Sequence, residues 1–266
     1  MIKFNSKTIL NISVKFYFFL FFIYLFLPLL VVSFAAFNDS SIPTVYPWKG
    51  FTFEWLIKFF SDEALMKSIL NSLIIAIGVV LLSIPMGLAG ALFLLSIGNK
   101  ARNIFYAVLV SPILTPGVII GIATLVMWNS LFEVSGGLAL TIVGQTTFIS
   151  SMAMLLFMSR LQKFNKNLEL AALDLGASPT QLFFKITLPF LKPAIYSATA
   201  LAFLQSVQNY NTTLFLIGTK STITIHIGSM IKLGLTPVLN VLAFISILLV
   251  IILSTLYALK KREENG

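Results

Sequence analysis

The chain contains no cysteine, which removes disulfides, thiol nucleophiles and cysteine-ligated metals together. It has one histidine, His226, so a histidine-built metal site is not expected and no metal ligand is assigned. Charge is scarce: only 10% of the 266 residues are Asp, Glu, Lys or Arg. Sequence patterns that carry chemistry are missing too. There is no G-x-x-x-x-G-K-[ST] phosphate loop, no H-E-x-x-H, no G-x-S-x-G and no cluster of carboxylates beside a base. Gly218-Thr219-Lys220-Ser221 has the end of a phosphate loop but lacks its first glycine, and it reads as a polar turn. No catalytic residue is assigned, and the chain is not expected to be an enzyme.

What is abundant is apolar surface. Hydrophobic residues make up 58% of the chain and the mean hydropathy is +0.98, well into the membrane class. The expected fold is all-α and polytopic, with six spans. The first is Phe16 to Phe37, 22 residues and roughly 33 Å as a helix, enough for one crossing. A cleavable signal peptide is the alternative, but its apolar core is shorter and no convincing cleavage site follows. The other five are expected within 65–97, 103–129, 138–158, 193–217 and 238–259. The third carries Pro112, Pro116 and Gly117, which either permit bending or fix a static kink. Between the first two spans, Tyr46, Trp48, Phe51, Phe53 and Trp55 suit an interfacial aromatic belt. Phe53 to Phe60 reads as a short amphipathic surface helix. This divides the chain into an N-terminal arm (1–15), a transmembrane domain (16–259) and a tail (260–266).

Six spans place both termini on one side. That side carries 13 of the 18 basic residues, among them Lys100, Arg102, Arg160, Lys163 and Lys166. The positive-inside rule then puts both termini and the polar segment 161–192 in the cytoplasm. The net charge of +9 is accounted for by that bias, so no nucleic-acid partner is expected.

Within the polar segment, Glu169 to Pro189 reads as helix, tight turn, helix. Ala171, Ala172, Leu173 and Leu175 favour helix, and Gly176 breaks it. Ser178-Pro179 restarts it with a capping residue before a first-turn proline. Pro189 is expected to stop the second helix. Ala171, Ala172 and Gly176 are small enough for a partner to approach the backbone, and Phe183, Phe184 and Ile186 are expected to anchor the segment to the membrane domain.

The spacing of this segment resembles the coupling motif of ABC importer permeases: E-A-A, three residues, G, nine residues, I-x-L-P. Here Ala171-Ala172 is followed by Leu173-Asp174-Leu175, Gly176, nine residues, and Ile186-Thr187-Leu188-Pro189. The motif glutamate falls on Leu170. Glu169 is one residue earlier, about 100° away around the helix, and Asp174 is a second candidate for the polar contact. The resemblance extends to the second permease subunit of spermidine/putrescine importers through Trp48 to Trp55, Asn71 to Ala76 and Leu173 to Pro179. It implies a six-helix importer transmembrane domain that forms half of a translocation path. The implied coupling residues are Glu169, Ala171, Ala172, Asp174, Gly176, Ile186, Leu188 and Pro189. The implied partners are a second permease, as a heterodimer, a dimeric ATPase that binds ATP and Mg, and a periplasmic or lipid-anchored solute-binding protein. This chain itself is expected to hold no cofactor.

The centre of the fifth span is polar: Gln205, Ser206, Gln208, Asn209, Tyr210 and Asn211. Such groups at mid-membrane either line a path or bond to neighbouring helices. Gln205, Gln208, Asn209 and Tyr210 are assigned to the translocation path. In the spermidine/putrescine family the places of Gln208 and Asn209 resemble an acidic pair, and a further acidic residue follows the third-span proline, where this chain has Gly117. No Asp or Glu lies in any expected span, which argues against a polycationic solute unless the partner permease supplies carboxylates. The competing function is an ATP-independent secondary transporter or channel. It calls for intramembrane ionisable groups or an internal repeat, and neither is visible. His226 is expected at the surface, and Met152, Met154 and Met158 in packing.

Overall fold

The computed structural model describes residues 6–265; Lys3 of the N-terminal arm and Gly266 of the tail lie outside them. In chain order the helices are α1 (Ser6–Ala35), α2 (Glu54–Ser61), α3 (Glu63–Ser96), α4 (Asn99–Leu114), α5 (Gly117–Phe132) and α6 (Leu138–Leu161). Then come α7 (Lys166–Asp174), α8 (Pro179–Leu182), a π turn (Phe183–Thr187), α9 (Leu188–Val207), α10 (Asn211–Leu216), α11 (Ile223–Leu233) and α12 (Val238–Asn265). Five helical stretches among the described residues are long and apolar enough to cross a membrane, and α4 with α5 counts as a sixth when the bent pair is taken as one span. The fold is that of an all-α polytopic membrane protein.

The chain divides into two compact units. The first lies within Met1–Glu63 and Ile227–Gly266. In it α12 packs against α1 and α2. The face of α1 from Phe16 to Leu30 stays exposed, as a lipid-facing span requires. The loop after α1 is ordered around Asn38, which is buried. Its Nδ2 donates to the carbonyls of Thr44 (2.8 Å) and Pro47 (3.2 Å), and its Oδ1 accepts from the Lys49 N–H (2.9 Å). Trp55 Nε1 donates to the Asn38 carbonyl at 3.0 Å. The aromatics of this loop therefore help to close it: Phe37 stacks on Phe51 and meets Phe244 edge-on.

The second unit is Ala64–His226. Gly87 of α3 sits against Ala153 and the backbone of Ser150 on α6, close enough that a side chain would collide. Small residues at such a contact let helices approach closely where there is no water to drive association. The core continues through Ala91, Leu94, Phe157, Leu191 and Ala198. Two basic residues secure its ends. Arg102 donates from Nε to the Leu94 carbonyl (2.7 Å) and from Nη2 to that of Ile97 (3.2 Å), satisfying the C-terminus of α3. Arg160 donates to the Phe190 carbonyl (3.3 Å) and stacks on the Phe190 ring at 4.3 Å.

Three expectations are corrected. The third span is not one helix: α4 and α5 meet at 104°. Thr115 precedes Pro116, and the proline ring excludes the helical region at the residue before it; Thr115 is extended (ψ 129°) and both helices end there. Pro189 does not stop a helix. The π turn before it makes wider i→i+5 bonds, and Pro189 enters the first turn of α9, where its missing N–H is tolerated. His226, expected at the surface, is half-buried on α11, in the stretch between the expected fifth and sixth spans.

Candidate translocation cavity and coupling segment

The expected fifth span is also broken. α9 ends at Val207, and α10 begins at Asn211, with three residues between them. Asn209 makes this break possible: its Oδ1 accepts the backbone N–H groups of Thr212 and Thr213, each at 3.2 Å, and the Thr213 hydroxyl at 3.1 Å. A side chain thus satisfies donors that a continuous helix would have paired internally. Part of the polarity at the centre of the fifth span is therefore structural.

The break between α9 and α10 and the bend between α4 and α5 open onto one cavity of about 400 Å³. Its wall includes Pro112, Thr115 and Gly117 from the bend, Phe148 from α6, and Asn211 and Thr212 from α10. Gln205, Gln208, Asn209 and Tyr210, all four assigned to the path from sequence, also line it. No Asp, Glu, Lys or Arg contributes. Gln208 Nε2 donates to Gln205 Oε1 at 2.9 Å, and Gln205 Nε2 makes a weak contact with Met152 Sδ at 3.9 Å. That arrangement leaves the Gln208 carbonyl oxygen as an acceptor. Phe148 and Tyr210 add aromatic faces. The wall can hydrogen-bond a solute and hold a cation against a ring, but supplies no charge of its own.

Gly117 marks how closely the two breaks fit. A Cβ there would lie 2.9 Å from Thr212 Oγ1 and 3.3 Å from Asn211 Cβ. An acidic side chain at this place would have to displace α10. Thr115, Phe148 and Thr212 were not singled out from sequence, because only the two chain breaks bring them to the cavity. Gln145 was missed as well. It is fully buried on α6 and bonds to Ser206 and Thr213; nothing in the sequence around it signals that role.

The coupling segment forms the expected helix, turn and helix. Asn165 caps α7 by accepting the Asn167 N–H at 3.0 Å. Gly176, at φ +81°, ends the helix in the left-handed conformation. The Ala177 N–H reaches the Ala172 carbonyl (3.0 Å) and the Gly176 N–H that of Leu173 (2.9 Å), the pair of bonds of a Schellman motif. Ser178 and Gln181 then form a reciprocal capping box, with Pro179 in the first turn of α8. Ala171, Asp174, Gly176 and Pro189 are exposed, whereas Glu169, Ala172, Ile186 and Leu188 are half-buried. Leu170, in the place of the motif glutamate, is 58% exposed, and Leu175 is 89% exposed. An apolar edge that open to water is suited to a protein partner. Phe184, expected as an anchor, is exposed, while Phe183 and Ile186 are half-buried.

Residues 80–263 match the model of the binding-protein-dependent transport system inner membrane component family. The putrescine transport system permease protein PotI of Escherichia coli K12 is 31% identical over 229 residues, covering 84% of this chain and 81% of that protein. A spermidine/putrescine transport system permease protein PotC homolog of Mycoplasma genitalium is 30% identical over 97% of this chain and 96% of its own length. Among solved structures, a bacterial alginate ABC transporter in complex with an alginate-bound periplasmic protein aligns with a TM-score of 0.71 at 17% identity, covering 94% of this chain and 92% of that one. At that identity the likeness shows the fold alone. The chain is a transport subunit rather than an enzyme, and it belongs to the inner-membrane permease components of binding-protein-dependent ABC importers.

Proposed function

We propose that this chain forms half of the translocation path of an importer for polyamine-type solutes and is driven by a separate ATPase docked on α7 and α8. The observation that carries the reading is the shared cavity: two broken helices of one unit face it with uncharged polar and aromatic groups. Broken helices at membrane depth are tolerated where they line a cavity. The substrate class follows that of the related permeases, putrescine and spermidine/putrescine. Glutamine carbonyls and aromatic faces can hold an ammonium group, while the carboxylates a polycation needs come from the partner permease. The exposed Leu170 and Leu175, with Ala171 and Gly176 between them, make the ATPase-facing surface. A solute-binding protein delivers the solute on the opposite side. Both termini, with the coupling segment, lie in the cytoplasm.

The test is uptake by vesicles holding this chain, the partner permease and the ATPase, with the binding protein outside. Putrescine import should require ATP inside, and Gln208→Ala should lower it at least several-fold with assembly intact. Import driven by an ion gradient without the ATPase would instead support a secondary transporter. An unaffected Gln208→Ala complex would remove the cavity from the path.

A further inference from the structure

We infer that Gln145, outside the cavity wall, is the positioning residue that holds Asn209 and the break between α9 and α10 in place. The inference rests on reading the cavity as the solute path. Gln145 is 1% exposed, and both ends of its carboxamide are engaged. Ser206 Oγ of α9 donates to Gln145 Oε1. Gln145 Nε2 donates to Thr213 Oγ1 of α10 at 2.8 Å. Thr213 Oγ1 donates onward to Asn209 Oδ1 at 3.1 Å.

The chain of bonds has one direction, and proton counting shows why. A hydroxyl has a single proton, so Thr213 gives it to Asn209 when its other neighbour presents a donor rather than a competing acceptor. Gln145 is that donor. Ser206 fixes which way the carboxamide points, because its hydroxyl needs an acceptor and Oε1 is the one it meets. Asn209 Oδ1 thus receives three bonds: the Thr213 hydroxyl and the two backbone N–H groups that start α10. This fixes the Asn209 side chain, which lines the cavity beside Gln208 and Tyr210. A carboxylate at position 145 offers acceptors at both ends. The Thr213 proton would turn toward it, and Asn209 would lose its third bond. Thr213→Val keeps the shape of the side chain but removes the relay at the same link, whereas Thr213→Ser preserves the hydroxyl.

The test measures putrescine imported per ATP hydrolysed by the assembled transporter in vesicles. A merely structural role would lower import and hydrolysis in parallel and leave this ratio unchanged. Gln145→Glu and Thr213→Val should each lower the ratio roughly fivefold, the effect expected for one buried hydrogen bond. The double variant should be no worse than either single one, and Thr213→Ser should match the wild type. The inference is overturned if the ratio is unchanged in assembled Gln145→Glu, if the two losses multiply, or if Thr213→Val and Thr213→Ser behave alike. That last comparison decides the matter if Gln145 variants fail to assemble. Gln208→Ala is measured alongside. If it matters while the Gln145 and Thr213 variants do not, the positioning role alone fails; if it too has no effect, the path reading has failed.

Discussion

Gly121 has no room for a side chain. A Cβ there would lie 2.9 Å from the Thr212 carbonyl oxygen and 3.3 Å from Phe215 Cβ on α10. A backbone atom held inside a short helix cannot rotate away, so Gly121→Ala should force α10 to shift. The expected cost is about 1–3 kcal/mol, the usual range for overpacking. Gly137, which meets nothing within 4 Å, is the control, and its change to Ala should stay within about 0.5 kcal/mol. Thermal unfolding of the purified assembly distinguishes the two; equal midpoints would mean that α10 is not held against α5 as the structure places it. Gly117 attracted notice from the sequence as part of the third-span bend and by contrast with an acidic family pattern, and Gly121 did not stand out at all. Their packing partners lie about ninety positions along the chain, and no local signal reports such a meeting.

Elements were readable where their signals are local. Ser178, Pro179 and Gly176 specify a cap, a first turn and a left-handed stop within four residues, and the coupling segment folds accordingly. Elements whose ends depend on relief from a neighbouring turn or a distant cap were misread. Pro189 looked like a terminator because a helix interior rejects proline, but the π turn before it changes the register. The fifth span looked continuous because hydropathy averages over the three residues where it breaks. Since Gly176 is both a left-handed position and an exposed point of the segment, its substitutions separate strain from contact. Gly176→Ala adds about 1–2 kcal/mol of left-handed strain and little bulk. Gly176→Glu adds both strain and a charged side chain at the surface proposed to face the ATPase. Co-purification of the ATPase should therefore fall modestly for Gly176→Ala and be lost for Gly176→Glu, with import following. Full co-purification by Gly176→Glu would remove this segment from the coupling role.

At the scale of the molecule, the number and rough extent of the spans followed from hydropathy because a bilayer imposes a minimum length on every crossing. The division into two compact units did not, since it depends on which spans pack together. Orientation rests on a different physical quantity, the asymmetry of Lys and Arg between the two faces. Arg102 and Arg160 complicate that count, because Arg102 is committed to carbonyls at the end of α3 and Arg160 to the carbonyl and ring of Phe190, and both would be required there on either side of a membrane. The remaining excess on that face includes Lys100 and Lys163, both exposed, and these report the bias without that structural role. The absence of cysteine makes the prediction directly measurable. Lys100→Cys and Lys163→Cys should react with a membrane-impermeant maleimide only in inverted vesicles or permeabilised cells. Lys49→Cys and Lys220→Cys, also exposed, should react once the outer face of the membrane is accessible. Labelling of positions 49 and 100 from the same face would mean that the stretch α2 to α3 does not cross the membrane once. That result would overturn the topology that places α7 and α8 beside a cytoplasmic ATPase. Labelling on opposite faces, with 163 matching 100, fixes the coupling segment on the side where ATP is available.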